Sequence, residues 1–184
     1  MNARQELRRI IAKESVRYRE EGFLLASGTR SQYYYDLKLT TLSNPYALSL
    51  AAEILLDRIA ALPDRVDAVG GLTSGADPLV VAVSLLAIKQ ERRLPGFFVR
   101  AKPKAHGTER VIEGVVEKGM NVVILDDVIT QGHSVLKAIK GAEEQGAHVV
   151  SVLILVDREE GGVKFLRDQG YNVEPMFTHT ELVS

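Results

Sequence analysis

Apolar residues recur along this chain in two rhythms. Near the start, Leu7, Ile10, Ile11 and Tyr18 fall at helical spacing among many charges, which predicts an amphipathic helix from Asn2 to about Glu21 with a solvated arginine face. Two short strands, Phe23 to Gly28 and Tyr33 to Leu37, are expected next, joined by the turn Ser27-Gly28-Thr29-Arg30-Ser31. Tyr33, Tyr34 and Tyr35 must alternate faces on such a strand, so at least one is exposed to whatever the hairpin covers. Asn44-Pro45 reads as an N-cap followed by a first-turn proline, opening a helix through Leu48, Ala51, Ala52, Leu55, Leu56 and Ile59 that stops near Pro63. Beyond it, strands are expected at 66–69, 96–99, 122–125, 148–156 and 171–177; the run at 122–125 is too short for a helix and rich in β-branched side chains, and that at 148–156 is apolar almost throughout. Helical patterns separate them, notably Leu79 to Ile88 and Val135, Leu136, Ile139. Strands alternating with helices predict an α/β fold, a mostly parallel sheet with helices on both faces, whose ligands bind at the carboxyl ends of the strands.

Length and composition narrow this picture. At 184 residues the chain suits one domain with a full-sized core, and 46% hydrophobic with 26% charged residues argues against disorder. A net charge of −1 gives no general attraction to nucleic acid or to a membrane surface, so any phosphate must be held by local clusters. The lack of cysteine excludes disulfides, thiolate metal sites and a cysteine nucleophile. The opening MNARQELRRI is charged and without a signal-peptide apolar segment, and no run approaches a membrane span, so a cytoplasmic protein is expected.

The candidate chemistry lies at the strand ends. The run Val122 to Leu125 leads into Asp126-Asp127 and then the turn Thr130-Gln131-Gly132-His133-Ser134 ahead of a helix. A strand, a turn and a helix N-terminus in that order make a phosphate site. A pure anion site would not have two acids beside it, so the ligand should offer hydroxyls or a metal to the acids and a phosphate to the turn. A ribose 5-phosphate has both. Ordinary loop polarity is the plain alternative, and an acidic Mg2+ pocket of the receiver kind would place the pair near the first strand. Neither G-x-G-x-x-G nor G-x-x-x-x-G-K-[ST] occurs. The stretch Gly70 to Pro78, with three glycines and the hydroxyls of Thr73 and Ser74 ahead of a helix, is a second anion cradle or an ordinary turn. Arg100 to Glu113 sets Arg100, Lys102, Lys104, His106 and Arg110 against two glutamates, with Pro103 and Gly107 opposing a helix. All three stretches follow strands and should converge.

VVILDDVITQGHS resembles the phosphoribosyl-pyrophosphate motif of the type I phosphoribosyltransferases, and FLLASGTRSQYYYDLK, VRAKPKAHGT and LVDREEGG resemble segments of their orotate branch. The resemblance implies one domain, with about 1–40 forming an N-terminal helix and hood hairpin and about 41–184 the core. It implies transfer of phosphoribosyl from phosphoribosyl pyrophosphate (PRPP) to orotate, giving orotidine 5′-monophosphate and pyrophosphate, in de novo pyrimidine and UMP synthesis. Asp126 and Asp127 would then hold the ribose hydroxyls, Thr130, Gln131, Gly132, His133 and Ser134 the 5-phosphate, and Thr73, Ser74 and Gly75 the pyrophosphate. Arg100, Lys104 and His106, helped by Lys102, would close over the leaving group, Tyr34 and Tyr35 would cover base and ribose, and Arg158 would meet orotate. The family implies Mg2+ held mainly by substrate, with no protein metal ligands, and a homodimer whose loop reaches the neighbouring site. Departures stand at Ala26, Ser74 and Ala101, where relatives often have lysine, and at Gln131 and His133, where small residues are common. They keep open a phosphoribosyltransferase for a purine or uracil, or a non-catalytic PRPP-sensing regulator. His179 is expected to be incidental.

Overall fold

The computed structural model describes residues 2–24, 30–101 and 111–184. Helix α1 (Ala3–Ile10) starts at Asn2, whose side chain accepts from the Gln5 amide while Gln5 reaches back to the Asn2 amide. The helix is shorter than expected. A π-helical turn (Ile11–Ser15) ends it, and the chain passes into strand β1 (Val16–Leu24), which pairs antiparallel with β2 (Arg30–Tyr35). The correction has a simple cause. Tyr18 fits both a helical and an alternating pattern, and from Val16 to Arg19 apolar and charged residues alternate. The register sets Val16, Arg17 and Tyr18 against Tyr35, Tyr34 and Tyr33, so the three tyrosines themselves supply the partners that turn this segment into a strand.

A short helix α2 (Leu37–Thr41) begins where the second strand was expected to continue, and α3 (Pro45–Ala60) follows with Asn44 accepting from the Ala47 amide as its cap. The remaining elements are β3 (Ala68–Leu72), α4 (Asp77–Lys89), β4 (Gly96–Val99), β5 (Ile112–Glu113), β6 (Asn121–Ile129), α5 (His133–Glu144), β7 (His148–Asp157), α6 (Gly162–Asp168), β8 (Val173–Thr178) and α7 (His179–Val183). Six strands form one sheet in the order β5-β4-β3-β6-β7-β8, parallel throughout except for β5. β5 closes the stretch expected to be loop as far as Glu113.

Two apolar layers cover the sheet. Val123 and Leu125 pack with α1, α3 and α4, while Val122 and Ile124 pack with α5 and α6. Helices on both faces agree with the near-continuous apolar character of the strands. Because the parallel strands share a direction, the loops after β3, β4, β6 and β7 emerge along one edge of the sheet.

Two strands run further than their apolar runs suggested. β3 includes Gly70 and Gly71, which were expected in a turn. A Cβ at Gly70 would lie 2.5 Å from the Phe97 ring and one at Gly71 would strike the Leu125 carbonyl, so both glycines serve packing between strands. β6 continues through Asp126 and Asp127 to Ile129, because β7 keeps offering ladder partners as far as Asp157.

Candidate active site

Adjacent residues of a regular strand point to opposite faces. Leu125 and Ile129 should therefore share a layer, yet Leu125 packs on the α3–α4 side and Ile129 on the α5–α6 side. The alternation slips at Asp126 and Asp127. As a result both carboxylates approach one point: a Cβ at Gly75 would sit 2.6 Å from Asp127 Oδ1 and 2.9 Å from Asp126 Oδ1. Only glycine lets the loop after β3 lie over the acids this closely. Thr73 is anchored beside it by its amide to the Val99 carbonyl at 3.0 Å, the Thr73–Ser74 peptide is cis, and Ser74 is exposed.

Both aspartates are buried, each 8% exposed. The Asp127 amide donates to Asp126 Oδ1 at 3.1 Å. Burial pushes the Asp126 carboxyl well above the usual carboxylate range, and the neighbouring Asp127 charge pushes it further. Burial also raises Asp127, opposed by backbone donors and by the positive charge of Lys38. Two carboxylates with few donors of their own are suited to a ligand that brings hydroxyls or a cation, since either would stabilise the charged forms.

Beside the pair, a cavity of about 180 Å3 is lined by Asp126, Val128, Ile129 and the whole turn from Thr130 to Val135. Gly132 caps α5 with φ +84°, a left-handed conformation that favours glycine, and its missing side chain also makes room for the Gly162 carbonyl and the Phe165 ring. No side chain caps the first turn of α5, so its amides are available to an anion. The His133 ring packs edge-on against Phe165 at 5.2 Å. What that position offers the cavity is its backbone amide. The loop after β7 braces this turn from outside through hydrogen bonds from the Gly162 amide to the Thr130 carbonyl and from the Arg158 amide to the Ile129 carbonyl.

Arg100 leaves β4 at the same edge, with Nε and Nη2 on Glu113 Oε1 at 2.8 and 2.7 Å. In this conformation the guanidinium is committed to β5. Lys137 on α5 donates to the Ala101 carbonyl and fixes the base of the basic stretch. Lys102, Lys104 and His106 lie outside the described residues, as does Ala26. Tyr34 faces outward and packs on Phe23, whereas Tyr35 points into the protein, its hydroxyl hydrogen-bonded to His179 Nδ1 and its acidity weakened by burial to a pKa of about 12. Arg158 lies over the Tyr35 ring, so it is at the hood and not in open solvent.

Thr73 to Gly75, the acid pair and the glycine-capped turn thus meet at one edge, as the sequence predicted. Sequence reading offered Lys38 only as a stand-in for the lysine absent at Ala26 and Glu113 only as a charge in the basic stretch; it missed that Lys38 acts on the acids, that Glu113 pairs with Arg100, that Lys137 holds Ala101, and the contacts of Arg158 with Ser31, Tyr33 and Glu160. All but the Arg158–Glu160 pair, two positions apart, are long-range pairings with no local signature.

Comparison with known proteins decides the family. A phosphoribosyl transferase domain model matches residues 40–168. The orotate phosphoribosyltransferase of Aquifex aeolicus is 38% identical over all of this chain and 99% of its own length. That of Methanocaldococcus jannaschii is 42% identical over 88% of this chain and 87% of its own.

The chain belongs to the orotate phosphoribosyltransferase family. The solved orotate phosphoribosyltransferase of Mycobacterium tuberculosis in complex with 5-phospho-alpha-D-ribosyl 1-diphosphate superposes with a TM-score of 0.81 at 29% identity, covering all of both chains.

Proposed function

We propose that the protein transfers the phosphoribosyl group of PRPP to orotate, forming orotidine 5′-monophosphate and pyrophosphate in pyrimidine synthesis. The observation that carries this is the buried pair Asp126 and Asp127, closed over by Gly75 and flanked by the glycine-capped start of α5. The bond from the anomeric carbon to pyrophosphate breaks as one to a ring nitrogen of orotate forms. Positive charge grows on the ribose ring and negative charge on the leaving group. Asp126 and Asp127 accept the ribose hydroxyls and face the cationic ring. The amides at the start of α5 hold the 5-phosphate, and the loop Thr73 to Gly75 receives the pyrophosphate. Arg100, with Lys102, Lys104 and His106, balances the negative charge, and Arg158 offers orotate a rigid fork of donors. Tyr34, expected to cover the base, stands on the face of the hood opposite Arg158 and takes no part in this reading.

The donor set bears on the metal. Among the described residues no group of three or more acids and histidines is gathered as a metal cage, and the acid pair alone provides too few ligands to sequester an ion. In this reading Mg2+ would be carried by the pyrophosphate and ribose oxygens and would neutralise the leaving group. A homodimer belongs to the same reading, supported by the exposed Val81, Leu85 and Ile88 along α4 beside a cavity of about 390 Å3. A cytoplasmic location is supported by the lack of cysteine, and no helix among the described residues is long and apolar enough to cross a membrane. The test is pyrophosphate release from PRPP and Mg2+ with orotate, uracil and purine bases in parallel. Orotate alone should be consumed, and turnover of another base without orotate would overturn the reading.

A further inference from the structure

Ser31, Tyr33 and Tyr35 alternate along β2 and so share the face turned toward the rest of the molecule. All three meet Arg158, and Tyr33 and Tyr35 also meet His179. Arg158 Nη2 lies 3.2 Å from Ser31 Oγ and 3.5 Å from the Tyr33 carbonyl, and its guanidinium carbon sits 5.2 Å from the centre of the Tyr35 ring. His179 takes the other end of the same residues. Its Nδ1 meets the Tyr35 hydroxyl, and its ring stands edge-on to Tyr33, 4.7 Å between centres at 71°.

The two anchors are joined behind the strand. Glu160 pairs with Arg158 Nη2 at 2.6 Å, and Glu159 accepts from the amide and hydroxyl of Thr180, each at 2.7 Å. The loop after β7, the start of α7 and the hood therefore close a ring of contacts. Arg158, only 9% exposed, has its direction set by this packing. Among the described residues its guanidinium contacts all fall on Nη2, which leaves the donors on Nε and Nη1 for a ligand.

We infer that His179 is a positioning residue for the base: by holding the Tyr35 hydroxyl it fixes the ring on which the Arg158 guanidinium lies, and so aims Arg158 at orotate. The inference rests on the proposal that Arg158 meets orotate. The Tyr35 phenol carries its hydrogen at neutral pH and can donate it to Nδ1, the arrangement that the variants below test. A side chain without an acceptor there would free Tyr35 to rotate and loosen the platform beneath Arg158.

The test is steady-state kinetics of His179→Leu, His179→Asn and Tyr35→Phe, with orotate and PRPP varied separately. Asparagine puts an acceptor close to the place of Nδ1, and leucine does not. His179→Leu and Tyr35→Phe should each raise KM for orotate about tenfold while KM for PRPP stays within about twofold, and the double variant should be no worse than either. His179→Asn should recover to within about threefold of the parent. An unchanged KM for orotate, a matched rise in both KM values, or no recovery with asparagine would overturn the inference. Should the parent protein not use orotate, the function proposed above fails instead. The Arg158 Nε–H resonance then decides: it should shift in His179→Leu and return in His179→Asn, and an unmoved resonance would dismiss the positioning role.

Discussion

The carboxyl end of β6 and the hood hairpin are assigned to the two halves of one substrate pair, yet they are held in different ways. Asp126 and Asp127 lie on a central strand that β7 still pairs after the β3 ladder has ended at Ile124, under a loop fixed by packing at Gly71 and Gly75. The hood is a two-stranded ribbon whose outer residues are exposed, tied down through Ser31, Tyr33 and Tyr35. A two-stranded ribbon alone is marginal in water, so its position depends on those side chains. The difference suits the chemistry. Charge developing on the sugar needs preorganised groups that do not move, whereas a cover over the base must admit and release it.

The comparison breaks most sharply at the acids. Changing both Asp126 and Asp127 to Asn should lower orotidine 5′-monophosphate formation by about 10²–10³-fold, the scale of losing preorganised charge stabilisation, and leave the fold intact by circular dichroism. Activity within about twofold of the parent would remove the pair from the mechanism. A pH effect on stability accompanies this. Burial raises the folded pKa of Asp126 above its unfolded value of 3.8, so the stability that the protonated form contributes is full below that value and is lost as pH rises through the raised folded value. In the ligand-free protein, the Tm advantage of Asp126→Asn over the parent should therefore grow with pH from about 4 upward, and a constant difference would contradict the raised value.

Gly75→Ala comes next. Its Cβ would enter the space held by both Oδ1 atoms, at 2.6 and 2.9 Å, so the loop must lift or the carboxylates must turn. Activity should fall roughly 10- to 100-fold, as expected of a displacement of about 1 Å among reacting groups, with a Tm loss of a few degrees at most. Unchanged activity would show that the loop tolerates the shift and that its closeness to the acids is incidental.

The same contrast explains how much could be read beforehand. Val122 to Leu125, the acids and the glycine turn are contiguous in sequence, so one stretch of residues announced strand, site and helix start together. The three tyrosines were legible as a strand, but their partners were not. Val16 to Tyr18 continue the spacing of Leu7 and Ile10 closely enough to pass for helix, and only the pairing with Tyr33 to Tyr35 decides otherwise. His179 was read as incidental because its partners, Tyr33 and Tyr35, stand some 144 positions away in the case of Tyr35. The extension of β6 past Leu125 was hidden for another reason: two adjacent aspartates look like the start of a loop, and the ladder with β7 that carries them is a tertiary fact.

On the hood side, Arg158→Lys should keep the charge and lose the planar fork, raising KM for orotate roughly tenfold with little change in KM for PRPP. Equal changes in both would place Arg158 in general support of the site and blur the division between sugar end and base end.

The smallest effect sharpens the comparison at the leaving group, where Arg100 is held by Glu113 at 2.7 Å with both side chains more than a third exposed on average. An exposed pair of this kind contributes about 0.2–1 kcal/mol. If Arg100 must turn from Glu113 to meet the pyrophosphate, that attraction opposes binding, and removing it at about 1.4 kcal/mol per factor of ten should tighten PRPP by roughly 1.4- to 5-fold. Glu113→Gln keeps the shape and removes the charge, so its KM for PRPP should drop within that range at low salt and approach the parent value as salt screens the pair. A rise in KM would mean the reverse: that Glu113 holds Arg100 in its working position, and that the basic stretch begins, like the acids, on a rigid strand end.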